Sequence, residues 1–374
     1  MKIKFIIPIF FFSILSSIGQ SFKDHYEKGV RLNNEQKLEE AESAFSKAIY
    51  LEKYNPLPYY ERGVIRMRLY NLIDAIEDFS KAIEYKHPMI TLPLSNRGAA
   101  YGFIGEYELA FSDLEETLKI EPNNFLAYSN RGHLKYELNN LEGALLDFEK
   151  AISINPNYEE AILGRGLIKH DKNDIKGALS DYEKVISLDP TNPRPYNNKG
   201  NIFKEKKLYQ DALKEYQKAI NLDPYFADPH YNKGIIMDIL GKFELAILDY
   251  TNCIKLNPFD ANAYSNRGVS KARSKSPDYL GAILDFSRSI EIAPEIPESY
   301  NNLGLTRANL GDFEKSIPDF TKAIILNPNY AMAYRNRAKS YIKIEELEKA
   351  CHDYSKAILL GDEISEELFE EVCK

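Results

Sequence analysis

The sequence has little from which a reactive centre could be built. Its six histidines, His25, His87, His133, His170, His230 and His352, are scattered along the chain, and none stands in a His-Glu-x-x-His pattern. Its three cysteines form no Cys-x-x-Cys pair, so no metal site is expected. A Gly-x-Ser-x-Gly elbow and a glycine-rich phosphate cradle are both absent, and the many carboxylates recur at a fixed interval, which reports a scaffold rather than an acid/base pair. No catalytic residue and no cofactor are therefore expected, and the chain reads as non-enzymatic. Basic runs are also missing. With a net charge of -8 and a sequence pI of about 5.5, nothing favours a phosphate backbone or an anionic membrane, so nucleic acid is excluded as a partner.

Only one stretch is continuously apolar. Lys2 and Lys4 precede an apolar run from Phe5 to Ile18, followed by a small-residue pattern at Ser17-Ile18-Gly19. This reads as a signal peptide over residues 1–19, with a mature N-terminus near Gln20. The run is shorter than the roughly 18–20 residues that span a bilayer, so an uncleaved anchor is the weaker alternative. No cysteine stands nearby to accept a lipid. The expectation is an exported protein, periplasmic or secreted, without stable membrane insertion after cleavage.

What is present is repetition. A small residue recurs at Gly29, Gly63, Gly98, Gly132, Gly166, Gly200, Gly234, Gly268, Gly304 and Ala338, nearly always 34 residues apart. Twelve residues beyond these glycines fall Ala41, Ala75, Ala110, Ala144, Ala178, Ala212 and Ala246, and four further on Phe45, Phe79, Leu114, Phe148, Tyr182, Tyr216 and Tyr250. Each unit closes on a turn such as Glu121-Pro122, Asn155-Pro156 or Asp189-Pro190. In the fourth unit, Ala144, Leu145, Phe148, Ala151 and Ile152 share one helical face, and Pro156 cannot continue that helix. One unit is thus helix, turn, helix, turn, and it cannot bury its apolar face without a neighbour.

This pattern resembles the tetratricopeptide repeat over about residues 22–364, with units starting near 22, 56, 91, 125, 159, 193, 227, 261, 297 and 331. The resemblance implies an all-α, right-handed superhelical solenoid of about ten helix-turn-helix repeats. The family's first-helix aromatic is matched by Tyr59, Tyr128, Tyr196, Tyr264, Tyr300 and Tyr334, whereas His25, Leu94, Ile162 and His230 depart from it. Two insertions interrupt the register, one at Lys86-His87-Pro88 and one at Ser274–Asp278. Extra residues in surface turns are usually idle; a kink or a docking point is the sharper alternative. Beyond the last repeat, residues 365–374 are expected to form a capping helix, with Ile364, Leu368, Phe369 and Val372 on its apolar side.

A basic residue precedes most of the recurring glycines, and an acid stands 16 residues later, as in Arg62 and Asp78, Arg131 and Asp147, or Arg337 and Asp353. These read as pairs within a repeat, each worth ~0–1 kcal/mol if exposed. The exceptions are Lys28 facing Ala44 and Leu303 facing Asp319. Cys253 replaces a small core residue. Cys351 and Cys373 lie at matching distances from a turn near Gly361 and Asp362, which leaves a disulfide or two unrelated thiols as alternatives.

The candidate binding residues are the asparagines two places before the small residue: Asn96, Asn130, Asn198, Asn232, Asn266, Asn302 and Asn336, interrupted by Gly164. The resemblance implies that this position faces a concave groove, where an amide can pair with a peptide main chain regardless of its side chains. The blander alternative is that asparagine is the family's usual residue there. The expected partner is a protein or peptide, held as an extended segment or a helix in the groove; a scaffold that self-associates through its outer face is the alternative.

Overall fold

The computed structural model describes residues 9–373, with side chains from Ser21 onward. The first eight residues of the expected signal peptide lie outside the described residues. The described chain contains 21 helices and divides into two compact units, residues 1–188 and 189–374.

In the first unit the helices pair as α1 (Ile9–Asn34) with α2 (Leu38–Leu51), α3 (Pro56–Arg68) with α4 (Leu72–Glu84), α5 (Thr91–Phe103) with α6 (Tyr107–Ile120), α7 (Phe125–Glu137) with α8 (Leu141–Ile154), and α9 (Glu159–Asp171) with α10 (Ile175–Leu188). The second unit pairs α11 (Arg194–Glu205) with α12 (Tyr209–Leu222), α13 (Ala227–Ile239) with α14 (Phe243–Leu256), α15 (Ala261–Arg273) with α16 (Tyr279–Ile292), α17 (Pro297–Asn309) with α18 (Phe313–Leu326), and α19 (Ala331–Lys343) with α20 (Leu347–Leu359). It ends on α21 (Glu363–Cys373).

The repeating glycine has a steric cause. A Cβ on Gly132 would lie 2.9 Å from Phe148 Cε1, and one on Gly200 would lie 2.4 Å from Tyr216 Cε1. The missing side chain lets the aromatic ring of the second helix lie flat against the first-helix backbone. Phe148 also reaches the next repeat, where a Cβ on Gly164 would stand 2.5 Å from its Cζ. Where the asparagine series breaks, the ring therefore occupies the space a side chain at 164 would take.

Helix boundaries follow local chemistry. Asn55, Asn124 and Asp260 accept the backbone N–H of Leu57, Ala127 and Ala263, closing the N-termini of α3, α7 and α15. The turn inside a repeat places one residue in the left-handed region; it is Gly105, Gly241 or Gly311 in some repeats, but Gln36, Tyr70, Asn139, Asn173, Lys207 and Glu345 in others. At Tyr70 the Asn71 amide reaches back to the Arg66 carbonyl at 2.8 Å, a Schellman closure. Tyr70 has φ 59° and an exposed side chain, so Tyr70→Gly removes strain without losing packing. The variant should gain about 0.5–1 kcal/mol in chemical denaturation, and an unchanged or lowered stability would contradict the turn assignment.

The eighth-repeat insertion is absorbed in the turn between α15 and α16. Ser274 Oγ donates to the Lys271 and Ser276 carbonyls, and Asp278 accepts the Gly281 amide at 2.8 Å to start α16. The capping helix begins at Glu363 rather than residue 365; just before it, the Asp362 carboxylate accepts hydrogen bonds from the side chains of Arg335 and Ser365. Leu368, Phe369 and Cys373 pack against Ala338, Ala350 and Tyr354. Ile364, expected on that apolar side, is 55% exposed, and Ser365 takes the buried place.

Within each unit, successive first helices touch: α1, α3, α5, α7 and α9 in one, α11, α13, α15, α17 and α19 in the other. Successive second helices do not approach comparably. The first helices therefore form the inner wall of each unit and the second helices its outer wall.

Candidate functional site

Every candidate asparagine stands on a first helix, the inner wall of its unit, but the row does two different jobs. The Nδ2 of Asn96 donates to Tyr60 Oη at 3.3 Å, and that of Asn130 to Ser95 Oγ at 3.4 Å. In the second unit Asn232 donates to Asn197 Oδ1 at 3.2 Å, Asn266 to Tyr231 Oη at 3.1 Å, and Asn336 to Asn301 Oδ1 at 3.0 Å. Each of these bonds runs from one first helix to the preceding one. Asn232 and Asn336 are only 8% exposed, so they sit between helices rather than on an open face. Asn198 makes no hydrogen bond among the described residues, and Asn302 only accepts from its neighbour Asn301. The side-chain Oδ1 atoms of Asn96, Asn130 and Asn336 likewise have no partner among the described residues.

The partners of these amides escaped the sequence reading, although a signal existed. Tyr60, Ser95, Asn197, Tyr231 and Asn301 stand three places before the recurring glycine of their own repeat, and all present a hydroxyl or amide. Lys204 adds a cation to this wall in the second unit; its Nζ donates to Asn232 Oδ1 at 2.7 Å, and burial holds its pKa below the usual lysine value. Nearby, Asp238 accepts from Tyr250 Oη at 2.9 Å and from Ser270 Oγ at 2.6 Å; burial, against these hydrogen bonds, raises its pKa.

The ion pairs between first and second helices are not the exposed contacts expected. Asp78 is 2% exposed and accepts from Arg62 Nε at 2.9 Å and Nη2 at 2.7 Å, with Arg66 Nη1 at 2.9 Å. The same two-pronged geometry joins Arg97 to Asp113, Arg131 to Asp147, Arg165 to Asp181 and Arg337 to Asp353. Arg267 and Asp285, 18 residues apart, were hidden from a 16-residue search by the insertion between them, yet make the same contact at 2.6 and 2.9 Å. The estimate for exposed pairs does not apply to carboxylates this deep. For Asp78 burial outweighs the arginines and raises the pKa.

The ninth repeat has Leu303 where the cation belongs, and Arg307, one turn later, replaces it, reaching both oxygens of Asp319 through Nη1 at 2.7 and 2.8 Å. With this poorer partner, burial pushes the Asp319 pKa up to about 6. A carboxyl whose folded pKa exceeds its unfolded value near 4 binds its proton more tightly when folded, so stability falls as pH rises through about 4–6. The fold should therefore melt higher at pH 5 than at pH 7, and Asp319→Asn should remove part of that rise, about 1–1.5 kcal/mol. Glu61, Asp78, Asp228 and Asp238 shift in the same direction and account for the remainder. A variant with the parent's pH profile would disprove the assignment.

Cys351 and Cys373 are joined as a disulfide between α20 and α21, with Cα atoms 5.7 Å apart. Cys253 is a buried free thiol beside Ala263, and burial pushes its pKa up to about 12, which keeps it protonated and unreactive. Among the described residues, no group of three or more His, Cys, Asp or Glu side chains is placed to hold a metal ion, and no helix is long and apolar enough to cross a membrane.

Sequence models described as the tetratricopeptide repeat match residues 125–158, 227–260 and 297–330, and a TPR-repeat model matches 166–207 and 200–237. Dynein axonemal assembly factor 4 of Pongo pygmaeus is 34% identical over 105 residues, 26% of this chain and 25% of that protein. Hsp70-Hsp90 organizing protein 3 of Arabidopsis thaliana is 32% identical over 102 residues, 27% of this chain and 18% of that protein. The chain thus spans a quarter or less of the length of these curated relatives. A solved tetratricopeptide repeat protein from Parabacteroides merdae is similar in fold, with TM-score 0.55 and 23% identity over 67% of this chain and 99% of that one. The Pseudomonas aeruginosa pilF structure is similar at TM-score 0.51 and 20% identity, over 57% and 96%. The chain carries tetratricopeptide repeats in both of its units, and the matches at 125–158, 227–260 and 297–330 each coincide with one helix pair.

Proposed function

We propose that this chain is a non-catalytic adaptor of the cell envelope that holds an extended peptide or a partner helix on the inner wall formed by the first helices within a unit. The observation that carries this reading is the set of inner-wall amides left unused by the fold: Asn198, both groups of which are free among the described residues, and the side-chain oxygens of Asn96 and Asn130. An amide in that state can pair with a main-chain N–H or C=O of any sequence. The name of the Arabidopsis relative, an organizing protein for Hsp70 and Hsp90, agrees with adaptor work. The signal-like residues 1–19 and the Cys351–Cys373 pairing both support export to an oxidising compartment, periplasmic or extracellular.

Peptides selected from a displayed random library on the full chain test the inner wall. Asn198→Ala and Asn302→Ala should each weaken them about three- to tenfold, as loss of one hydrogen bond of ~0.5–1.5 kcal/mol requires. Undiminished affinity in both would remove the inner wall from the reading. N-terminal sequencing of the protein from its own cells should begin near Gln20, and an intact Met1 would contradict cleavage. A scaffold that associates through its outer wall is favoured by one feature, the exposed Leu245, Leu248, Leu280 and Leu284 on α14 and α16. Association lost in Leu248→Glu with Leu284→Glu, with the asparagine variants unaffected, would select it.

A further inference from the structure

The first repeat lacks the carboxylate that every later repeat supplies. The cation one place before the recurring small residue meets an acid on the second helix at Arg62–Asp78, Arg97–Asp113, Arg131–Asp147, Arg165–Asp181, Lys233–Asp249, Arg267–Asp285 and Arg337–Asp353. The sixth repeat uses Lys199 with Glu215, and the ninth uses Arg307 with Asp319. In the first repeat Lys28 keeps the cation's place, and Ala44 stands where the acid belongs. Lys28 has no acidic partner among the described residues, and residues 1–20 contain neither Asp nor Glu.

The gap is an open cleft of about 330 Å³ between α1 and α2. His25 and Lys28 line it from α1, one turn apart, and Ser43, Ala44 and Lys47 from α2. In the second repeat Tyr59, Arg62, Glu77, Asp78 and Lys81 stand at the matching positions, so the first repeat keeps the cations and loses both carboxylates, Ser43 replacing Glu77 and Ala44 replacing Asp78. Glu39 and Glu40 also border the cleft, but the second repeat carries Asp74 at the place of Glu40 and still forms its pair. An acid in that turn does not displace the one in the socket.

We propose that the cleft between α1 and α2 is a binding site for an acidic peptide, which inserts one carboxylate over Ala44 to meet Lys28, with His25 and Ser43 as further donors. The later repeats show the chemistry the site calls for: a carboxylate on the second-helix side of the cation, with closest N···O distances of 2.6–2.7 Å in the paired arginines. This site is distinct from the inner-wall asparagines and stands or falls independently of them.

Titration of the full chain into dye-labelled hexaglutamate, read by fluorescence anisotropy, tests it. Saturable binding should weaken at least about tenfold both in Lys28→Gln, which removes the cation, and in Ala44→Asp, which fills the socket from within. Ala44→Asp should melt no lower than the parent, because the same pair forms in the other repeats; this separates occupation of the socket from misfolding. Absence of saturable binding, or equal affinity in Ala44→Asp, overturns the proposal. So does self-association of the parent that Ala44→Asp abolishes without any hexaglutamate binding, since the occupant would then be a second copy of the chain.

Discussion

Phe148→Ala should destabilise the first unit by about 3–5 kcal/mol, among the largest effects of any single truncation in it. The ring is fully buried, lies against the backbone of Gly132 on one side and Gly164 on the other, and meets the His133 ring edge-on with centroids 4.9 Å apart. It belongs to the core cluster that ties Ala144 and Ala151 of α8 to Ala161 and Ile168 of α9. Alanine leaves a void between two repeats that rigid helix backbones cannot collapse into, so the cavity cost adds to the lost burial. In a stack where each pair touches only its neighbours, the damage should be local. Hydrogen exchange should lose protection first in α7, α8 and α9, with α1 to α4 little affected. A loss below about 1 kcal/mol, or protection falling evenly through the unit, would show that the ring does not join these repeats.

Asp78→Ala should cost a similar 3–5 kcal/mol for a different reason. The alanine itself is harmless; the cost lies in Arg62, left with two N–H groups turned to a place no water easily fills, while Arg66 keeps Glu42 at 2.7 Å. Removing both charges, as Arg62→Met with Asp78→Leu, should restore most of the loss, because a buried pair is worth little net even though breaking it is costly. A double-mutant cycle by urea denaturation reads the coupling directly. If the single and double variants lose equal stability, the pair is a solvated contact after all.

The sequence displayed the fold more completely than the site. Gly132, Ala144 and Phe148 recur with their equivalents at one interval, and steric fit demands that combination, so composition and spacing were enough to place helices and core. Arg267 and Asp285 were missed because counting along the chain fails across an insertion, whereas the helices keep their mutual position. The asparagines were identifiable as a row, but their state was not: Asn96 and Asn198 look alike in sequence, and only the hydroxyl of Tyr60 beside the former distinguishes a bond within the scaffold from a free amide. Burial of the ion pairs was equally hidden, since charge reads as surface until the depth of the groove between paired helices is known. Asn232 and Asn336, candidates on the open wall by position, are buried and bonded to the preceding first helix.

The eighth-repeat turn bears on which length changes the chain tolerates. Two residues beyond the usual spacing separate Arg267 from Asp285, and the contact between them is the same as elsewhere. Insertions and deletions in the bends within a repeat should therefore be close to silent, and such bends are natural places to splice in a tag or a foreign loop. A single residue added inside α14 would instead turn everything beyond it by ~100° about the helix axis, carrying Tyr250 away from Gly234 and Asp249 away from Lys233. Changes in the length of this gene should accumulate at the bends and be purged from the helices, a pattern set by the geometry of the pairs rather than by the ligand.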